Sequence, residues 1–355
     1  MRKKYDHKTF EIQPPLWYNT VDCCETKASR EKRITMKTNP TVFAAIKETR
    51  ETPRNIIFGT DWWTDCDDVA ALDILLKAHS CGLIALKAIG VNSVMQYSAP
   101  SVKAMCEQHG LGDIPIGLDS RARRKGDFCL YQKKLAGFCK SNFKNADCPE
   151  ACKLYRSTLA SLEGKAVIVD VGFPQIIMEL LQSEPDESSD LNGIELVEEK
   201  VSEVVLMGGR WDKTPGREYN FFAYKLNREA AAYLCERCPV PVTFLGYEVG
   251  KDVVTGGKDV PGLTGVAYAA HLSRRGRPSW DPMTALFSVI GDAQAAGYRR
   301  VRGKATVSPR TGANRFEVCD GGTHAYLVKE KEDSFYKNQI DEILMMEKPL
   351  EAQDA

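Results

Sequence analysis

The sequence predicts an α/β fold with a mostly parallel central sheet flanked by helices. Short apolar runs alternate along the chain with longer segments of helical periodicity, the pattern of repeated β-α-β units. Polar residues follow directly after several of these runs, where the loops of a parallel sheet hold ligands. The 355 residues contain no internal repeat and no linker that would divide them, so one domain is the simplest organisation.

The first part of the chain is polar and irregular, and we expect residues 1–35 to form a tail or surface arm ahead of a domain at 36–350. Residues 38–51 fit a helix that closes before a proline. The apolar residues 56–58 predict a short buried strand, and residues 69–78 have the spacing of a helix. An acidic loop joins these two elements.

The same alternation continues through the rest of the chain. Strands are predicted at residues 83–91, 113–117, 165–171, 201–207 and 240–245. Helices are predicted at residues 99–110, 175–182, 227–236, 283–296 and 339–347. Glycines ahead of the last helix indicate short antiparallel strands. Residues 121–151 are charged, rich in cysteine and weakly periodic, and we expect an irregular or helical excursion that could cover the site.

The composition excludes several classes of protein. The formal net charge is zero and the basic residues form no dominant block, which argues against a nucleic acid or a membrane surface as the main partner. No apolar run approaches the roughly 20 residues that span a bilayer, and the charged amino terminus lacks the apolar core of a secretory signal. We therefore expect a cytoplasmic protein. Its twelve cysteines lack histidines at zinc-finger spacing, so free thiols are expected.

Four aspartates fall within eight residues directly after the first predicted strand: Asp61, Asp65, Asp67 and Asp68. Charges packed this closely repel one another unless a cation neutralises them, and calcium binds through several carboxylate and carbonyl oxygens. One or two aspartates could instead cap the following helix. The loop alone therefore leaves two interpretations, a metal site and a solvated acidic loop with a cap.

Four more motifs follow the acidic loop in a fixed order. They are Met207-Gly208-Gly209, Glu218-Tyr219-Asn220, Asn227 with Glu229-Ala230-Ala231, and Trp280-Asp281. With the acidic loop they resemble the inosine-uridine preferring nucleoside hydrolase family, over residues 54–345. The resemblance is closest to members with a D-x-G-T-D-x-D-D loop, which is here Asp61-Trp62-Trp63-Thr64-Asp65-Cys66-Asp67-Asp68. It implies a Rossmann-like, single-domain nucleoside hydrolase fold.

The resemblance also implies a reaction, namely calcium-dependent cleavage of the N-glycosidic bond of a ribonucleoside by direct attack of water. Asp61 would be both a calcium ligand and the base that takes the proton from this water. The other implied calcium ligands are Asp68, Asp281 and the main-chain carbonyl of Val171. The implied substrate contacts are Asp67, Asn92, Glu218, Asn220 and Trp280. Carboxylates suit this chemistry because they stabilise an oxocarbenium-like transition state.

Without the resemblance, some of these residues have plainer interpretations. Glu218 and Asn220 would be polar turn residues, and Asp281 before Pro282 would be a helix N-cap. Asp65 is left as a structural residue of the loop.

Several positions depart from the family pattern. Gly59 stands where aspartate is usual and Trp63 where glycine is usual, so two adjacent indoles, Trp62 and Trp63, are expected to narrow or reshape the pocket. Trp280 stands where the best-known members have a histidine that helps the base to leave. The three tryptophans could stack on a nucleobase or pack in the core.

Other polar residues lie in loops predicted to face the site. His271 is the only histidine expected to reach it, and a plain surface histidine is the alternative. The same loops contain Arg210, Trp211, Arg274, Arg275 and Arg277, which could contact an anionic or extended substrate or remain solvated.

Two other functions stay open at this stage. One is hydrolysis of a different ribosylated substrate, and the other is a catalytically silent relative that binds a ribosyl ligand. Because members of the family commonly form dimers or tetramers, the resemblance also implies a homodimer or homotetramer.

Overall fold

The computed structural model describes residues 41–122 and 129–347, and all of these belong to one compact unit. The tail predicted at residues 1–35 lies outside the described residues. In the described ranges, no helix has the length and apolar character needed to cross a membrane.

Nine strands form one central sheet. They are β1 (Arg54–Thr60), β2 (Ile84–Val91), β3 (Ile116–Leu118), β4 (Ala166–Asp170), β5 (Val201–Met207), β6 (Val242–Leu245), β9 (Tyr298–Val307), β10 (Asn314–Val318) and β11 (His324–Lys329). Their spatial order is β10-β9-β11-β6-β5-β4-β1-β2-β3. All pairs from β11 to β3 are parallel, whereas β9 is antiparallel to both of its neighbours. The predicted mostly parallel sheet is therefore confirmed.

The helices cover both faces of the sheet. They are α1 (Thr41–Thr49), α2 (Asp67–Ser80), α3 (Ser98–Gln108), α4 (Leu130–Ala136), α5 (Ala151–Ser161), α6 (Gln175–Gln182), α7 (Gly193–Lys200), α8 (Tyr219–Phe222), α9 (Lys225–Arg237), α10 (Tyr247–Gly250), α11 (Gly262–Ala270), α12 (Trp280–Ile290) and α13 (Asp333–Leu344). A small ribbon pairs β7 (Val254–Thr255) with β8 (Arg277–Pro278).

Apolar side chains alternate between two hydrophobic clusters, one on each face of the sheet. In β4, Val167 and Val169 belong to the cluster with α2, α12 and α13. Ala166 and Ile168 belong to the cluster with α5, α6 and α9. Because both faces are buried, the strand is a continuous apolar run, as parallel sheets require.

Some element boundaries differ from the prediction. The helix predicted at residues 283–296 begins at Trp280 and ends at Ile290, because Gly291 adopts a left-handed conformation with φ of 78°. Helix α7 was not predicted, although Asn192 and Glu195 form a capping box at its start. Helix α13 begins earlier than the predicted residue 339.

A buried charge cluster ties α2 to the last helix, α13. Lys77 of α2 donates from Nζ to Asp73 Oδ2 at 2.9 Å and to the carbonyl oxygens of Ile343 and Leu344 at 3.1 and 2.9 Å. His109 Nε2 lies 2.9 Å from the other oxygen of Asp73. The ammonium therefore compensates a buried carboxylate and binds main-chain carbonyls at the carboxyl end of α13.

Replacing Lys77 by alanine is expected to lower the free energy of unfolding by about 3–5 kcal/mol, since Asp73 would lose its buried cation. Lys47→Ala on the exposed face of α1 is the control and should stay within about 0.5 kcal/mol of the parent chain. Denaturant unfolding of both variants measures the difference. Similar losses in the two would contradict a stabilising role for the buried cluster.

Candidate active site

A cavity of about 560 Å³ opens where β1, β4, β5 and β6 end. Its acidic wall consists of Asp61, Asp65, Asp67, Asp68, Glu218 and Asp281. Its aromatic wall consists of Trp63, Tyr219, Phe222, Tyr247 and Trp280. Thr64, Val171, Met207, Asn220 and three arginines, Arg210, Arg217 and Arg277, complete the lining. The cavity therefore lies at the carboxyl edge of the parallel sheet, where such folds bind ligands.

Three carboxylates converge closely enough to share one cation. One oxygen from each of Asp67, Asp68 and Asp281 lies within 4.8 Å of the others, and all three side chains are buried. Asp61 lines the same cavity but lies outside this group of three. The donor set is all oxygen, which suits a hard divalent ion such as calcium.

Two helices bring these three carboxylates together. Asp67 and Asp68 open α2, and Asp281 lies in the first turn of α12. The two helices are joined directly, because the main-chain N–H of Asp281 donates to Asp67 Oδ2 at 3.2 Å. Both helix N-termini therefore direct their positive dipole ends toward the acidic group.

The alternative interpretation, in which these aspartates are N-cap residues, is wrong, although all three lie in the first turn of their helices. The N-cap positions are Cys66 for α2 and Ser279 for α12, and neither side chain caps its own helix. Asp67 and Asp68 lie one and two positions inside α2, and Asp281 is likewise inside α12. Instead, Asp67 accepts a hydrogen bond from α12, as described above.

The turn after β1 fixes Asp68. Thr60 donates its hydroxyl to Asp68 Oδ1, and the main-chain N–H of Trp62 donates to the same oxygen at 3.1 Å. Trp62 has a φ of 45°, a left-handed conformation that is uncommon for a bulky residue. The main-chain N–H of Trp63 donates to Asp61 Oδ1 at 3.0 Å. The strained turn thus directs backbone donors at two of the loop aspartates.

Trp62 does not lie beside the cavity, so the expectation that both indoles narrow the pocket is wrong for this residue. Its side chain is fully buried, its Nε1 donates to Ser101 Oγ at 2.8 Å, and its ring packs edge-on against Tyr131. Gln132 of α4 donates to its carbonyl oxygen. The left-handed turn sends Trp62 into the core and leaves Trp63 on the cavity wall.

The aspartates have strongly raised pKa values. Burial, and then the charge of neighbouring aspartates, raises the pKa of Asp67, Asp68 and Asp281 well above the usual range. Burial also raises the pKa of Asp61 to about 8. Carboxyl groups packed in this way cannot all ionise at neutral pH unless a cation accompanies them.

Hydrogen bonds hold together the part of the cavity wall that lies at the ends of β4 and β5. The Asn220 Nδ2 group donates to the carbonyl oxygens of Val171 and Met207 at 3.0 and 3.2 Å and so joins the ends of the two strands. Glu218 accepts from the N–H groups of Asn220 at 2.7 Å and Gly209 at 3.1 Å. Burial raises the pKa of Glu218 to about 7.

Asn92 does not line the cavity but lies behind the residues that do. Its Nδ2 donates to Asp170 Oδ1 at 3.2 Å, and its Oδ1 accepts from Phe173 N at 2.9 Å. Asp170 in turn fills the space beside Gly59, where a Cβ would lie 2.3 Å from its Oδ2. Only glycine fits at position 59, because the Asp170 carboxylate of the neighbouring strand β4 occupies the space that a Cβ would need.

Aromatic rings flank the carboxylates on two sides. Trp63 lies nearly parallel to Tyr219, with ring centroids 6.1 Å apart and an interplanar angle of 22°. Trp280 lies nearly parallel to Tyr247 at 5.5 Å and donates from Nε1 to the Tyr247 carbonyl at 2.8 Å. Flat apolar walls of this kind suit a planar ring such as a nucleobase.

The remaining predicted residues divide between cavity and core. Arg277 lines the cavity and pairs with Asp65, with its Nε 3.1 Å from Asp65 Oδ2. Trp211 packs in the core and donates from Nε1 to Gly208 O at 3.1 Å. His271 hydrogen-bonds Ser273 and, with Arg274 and Arg275, does not line the cavity. No histidine in the described ranges does so.

Four residues that line the cavity were not predicted from the sequence to do so: Arg217, Tyr219, Phe222 and Tyr247. Tyr219 lies inside the Glu218-Tyr219-Asn220 motif, and Arg217 directly precedes the first residue of that motif. Tyr247 follows the apolar run of β6, so its position after a strand end was the available signal.

Comparison with solved structures identifies the architecture. The inosine-uridine preferring nucleoside hydrolase of Bacillus anthracis superposes with a TM-score of 0.60 at 17% identity, covering 82% of this chain and 99% of its own. An inosine-guanosine nucleoside hydrolase gives 0.60 at 14%, covering 82% and 98%. The chain has the nucleoside hydrolase fold.

The same fold is found in a type III effector. XopQ, solved in complex with adenosine diphosphate ribose, gives a TM-score of 0.61 at 15% identity, covering 86% of this chain and 98% of its own. No family sequence model and no curated protein sequence matches the chain. At these identities the likeness establishes the nucleoside hydrolase fold.

In the presence of a chelator, the free energy of unfolding is expected to fall as the pH rises from about 4 to about 8. Asp61 has a pKa of about 8 in the folded chain and an ordinary value of 3.8. The folded state therefore binds more protons through this window, so stability is lost as the protons leave. Chemical denaturation across the pH series measures the slope.

Asp281→Asn should make this slope shallower, because it removes one of the mutually repelling charges. Asp320→Asn, at an exposed position outside the cavity, is the matched control and should leave the slope unchanged. A stability that stays level or increases over the same pH range would refute the prediction.

Proposed function

We propose that the chain is a calcium-dependent hydrolase that cleaves the N-glycosidic bond of a ribonucleoside or nucleoside-like ribosyl compound, giving ribose and a free base. The observation that carries the proposal is the convergence of Asp67, Asp68 and Asp281 at the wall of an aromatic-lined cavity in a nucleoside hydrolase fold. A buried acidic group of this kind needs a cation, and the cavity has room for a small ligand beside it.

The residues present fit calcium. Asp61, Asp68, Asp281 and the carbonyl of Val171 are the proposed ligands, and the position of Asp67 makes it a further candidate beside its role in binding ribose. When bound, calcium would neutralise these carboxylates and orient a water and ribose hydroxyls. All the proposed donors are oxygen atoms, which favours calcium over zinc.

Asp61 is the proposed general base. It lines the cavity, and the N–H of Trp63 holds one of its oxygens, so the other remains available to the attacking water. Burial raises its pKa to about 8, close to the range in which a base works best at neutral pH. A neighbouring cation would lower this value and keep the carboxylate ionised.

Glu218, Asn220 and Asp67 are proposed to bind ribose hydroxyls. The first two are held by the hydrogen bonds that join β4, β5 and α8, so they are positioned before substrate arrives. Asn92, by contrast, would act from behind this wall through Phe173 and Asp170. Charge on the carboxylates would stabilise the oxocarbenium-like transition state.

Trp280 is proposed as a stacking surface for the leaving base. It lines the cavity, and its orientation is fixed because Nε1 donates to the Tyr247 carbonyl and the indole packs against the Tyr247 ring. Since no histidine of the described chain lines the cavity, the proposal favours a leaving group that needs little protonation, or one protonated by solvent.

The second candidate is binding of a ribosyl ligand without turnover, or hydrolysis of a different ribosylated substrate. It is favoured by the likeness to XopQ, which binds adenosine diphosphate ribose, and by the lack of a histidine acid in the described cavity lining. A homodimer or homotetramer and a cytoplasmic location stay predictions for either candidate.

Release of free ribose from a panel of nucleosides tests the proposal. Turnover should stop on addition of a chelator and return with calcium, and Asp61→Asn should reduce kcat by about 10²-fold or more. Asp320→Asn is the control and should retain full activity. Turnover that survives both the chelator and Asp61→Asn would refute the mechanism, and binding of a ribosyl ligand without any turnover would favour the second candidate.

A further inference from the structure

We propose that Arg217 and Arg210 form a phosphate subsite at the mouth of the cavity, so that the ligand is a phosphorylated ribosyl compound. The inference rests on the proposed function, because ribose held by the carboxylates determines which part of the ligand extends toward these arginines. It adds a substrate class, since the ribose and metal contacts alone would accept an uncharged nucleoside.

Arg217 is an exposed cation that lines the cavity and directly precedes Glu218, a proposed ribose contact. Its guanidinium lies over the ring of Phe222, 4.6 Å from the centroid. Among the residues that the structure describes, no carboxylate pairs with it. Stacking on the ring orients the guanidinium but leaves its N–H groups free for an anion.

Arg210 also has donor capacity to spare. Its guanidinium lies 5.1 Å from the centroid of Tyr247 and contacts Asp212 through Nε at 2.7 Å and Nη2 at 3.2 Å. Its Nη1 group has no hydrogen-bond partner in the described part of the chain. A second anion can therefore bind to Arg210 without displacing Asp212.

The loop that carries both arginines is held in place by one residue, Asn314. The side chain of Asn314 accepts from Arg210 N at 3.0 Å and donates to Arg210 O at 2.8 Å. Its backbone exchanges two hydrogen bonds with Gly216, at 2.8 and 2.9 Å. The backbone of the loop is therefore fixed at both ends, which lowers the cost of ordering the segment around a ligand.

The charge distribution explains why the subsite lies at the mouth. Arg277 has less charge to offer a ligand, because Asp65 already neutralises its guanidinium through a contact of 2.5 Å. The carboxylates of the acidic wall would repel a phosphate placed among them. In a ligand with a sugar at one end and a phosphate at the other, the carboxylates repel the phosphate and the arginines attract it. Both effects favour the same orientation of the ligand.

Titration calorimetry in the presence of calcium tests the subsite with three matched pairs of probes. Ribose 5-phosphate is compared with ribose, adenosine 5′-monophosphate with adenosine, and adenosine diphosphate ribose with adenosine. We expect the phosphorylated member to bind about tenfold more tightly, the effect of gaining one charge-assisted hydrogen bond. A preference restricted to adenosine diphosphate ribose would locate the subsite at a diphosphate and would also support the proposal.

Arg217→Ala should remove most of this preference, and Arg217→Lys should restore part of it because a lysine keeps the charge. Arg302→Ala removes an exposed cation on β9, outside the cavity, and is the control. Equal affinity within every pair, or a preference that survives both Arg217→Ala and Arg210→Ala, would overturn the proposal.

Binding and turnover separate this inference from the proposed function. Nucleoside cleavage without any preference for phosphate would refute the subsite and leave the hydrolase intact. A phosphate preference that depends on Arg217, without cleavage of any probe, would refute the hydrolase and leave the subsite.

Discussion

The repulsion among buried carboxylates is the constraint on which the rest of this structure depends. Asp67, Asp68 and Asp281 are buried within a few ångströms of one another, and Asp61 lies on the same cavity wall. Such an arrangement persists only if other parts of the chain stabilise it. Two helix N-termini and the backbone N–H groups of the turn after β1 supply that stabilisation, and a cation would complete it.

The sheet determines where these supports meet. Strands β1, β4 and β5 end side by side, so the turns after them form the walls of one cavity. Close approach between the strands dictates small residues there, since Asp170 fills the space beside Gly59 and a Cβ at Gly172 would lie 2.2 Å from Asp61 N. The strand ends that form the site are therefore packed so closely that positions 59 and 172 have no room for a side chain.

The cavity separates its chemistry by location. Carboxylates form one wall, aromatic rings flank them, and two arginines with spare donor groups lie toward the opening. Trp63 and Trp280 both line the cavity, so flat aromatic surfaces lie beside the carboxylates. A ligand with a planar ring and a charged extension suits this distribution best.

The sequence by itself determined the parallel sheet, most of its strands and the acidic loop, because apolar periodicity and charge density are local properties. It also indicated that Asp281 belongs with that loop, but only through resemblance to a family. Tertiary structure alone decided that Trp62 enters the core while Trp63 faces the cavity, since one left-handed residue reverses the direction of the side chains. It also decided that Asn92 lies behind the cavity lining and that Arg217 lies in it, because these positions depend on contacts between residues far apart in the chain.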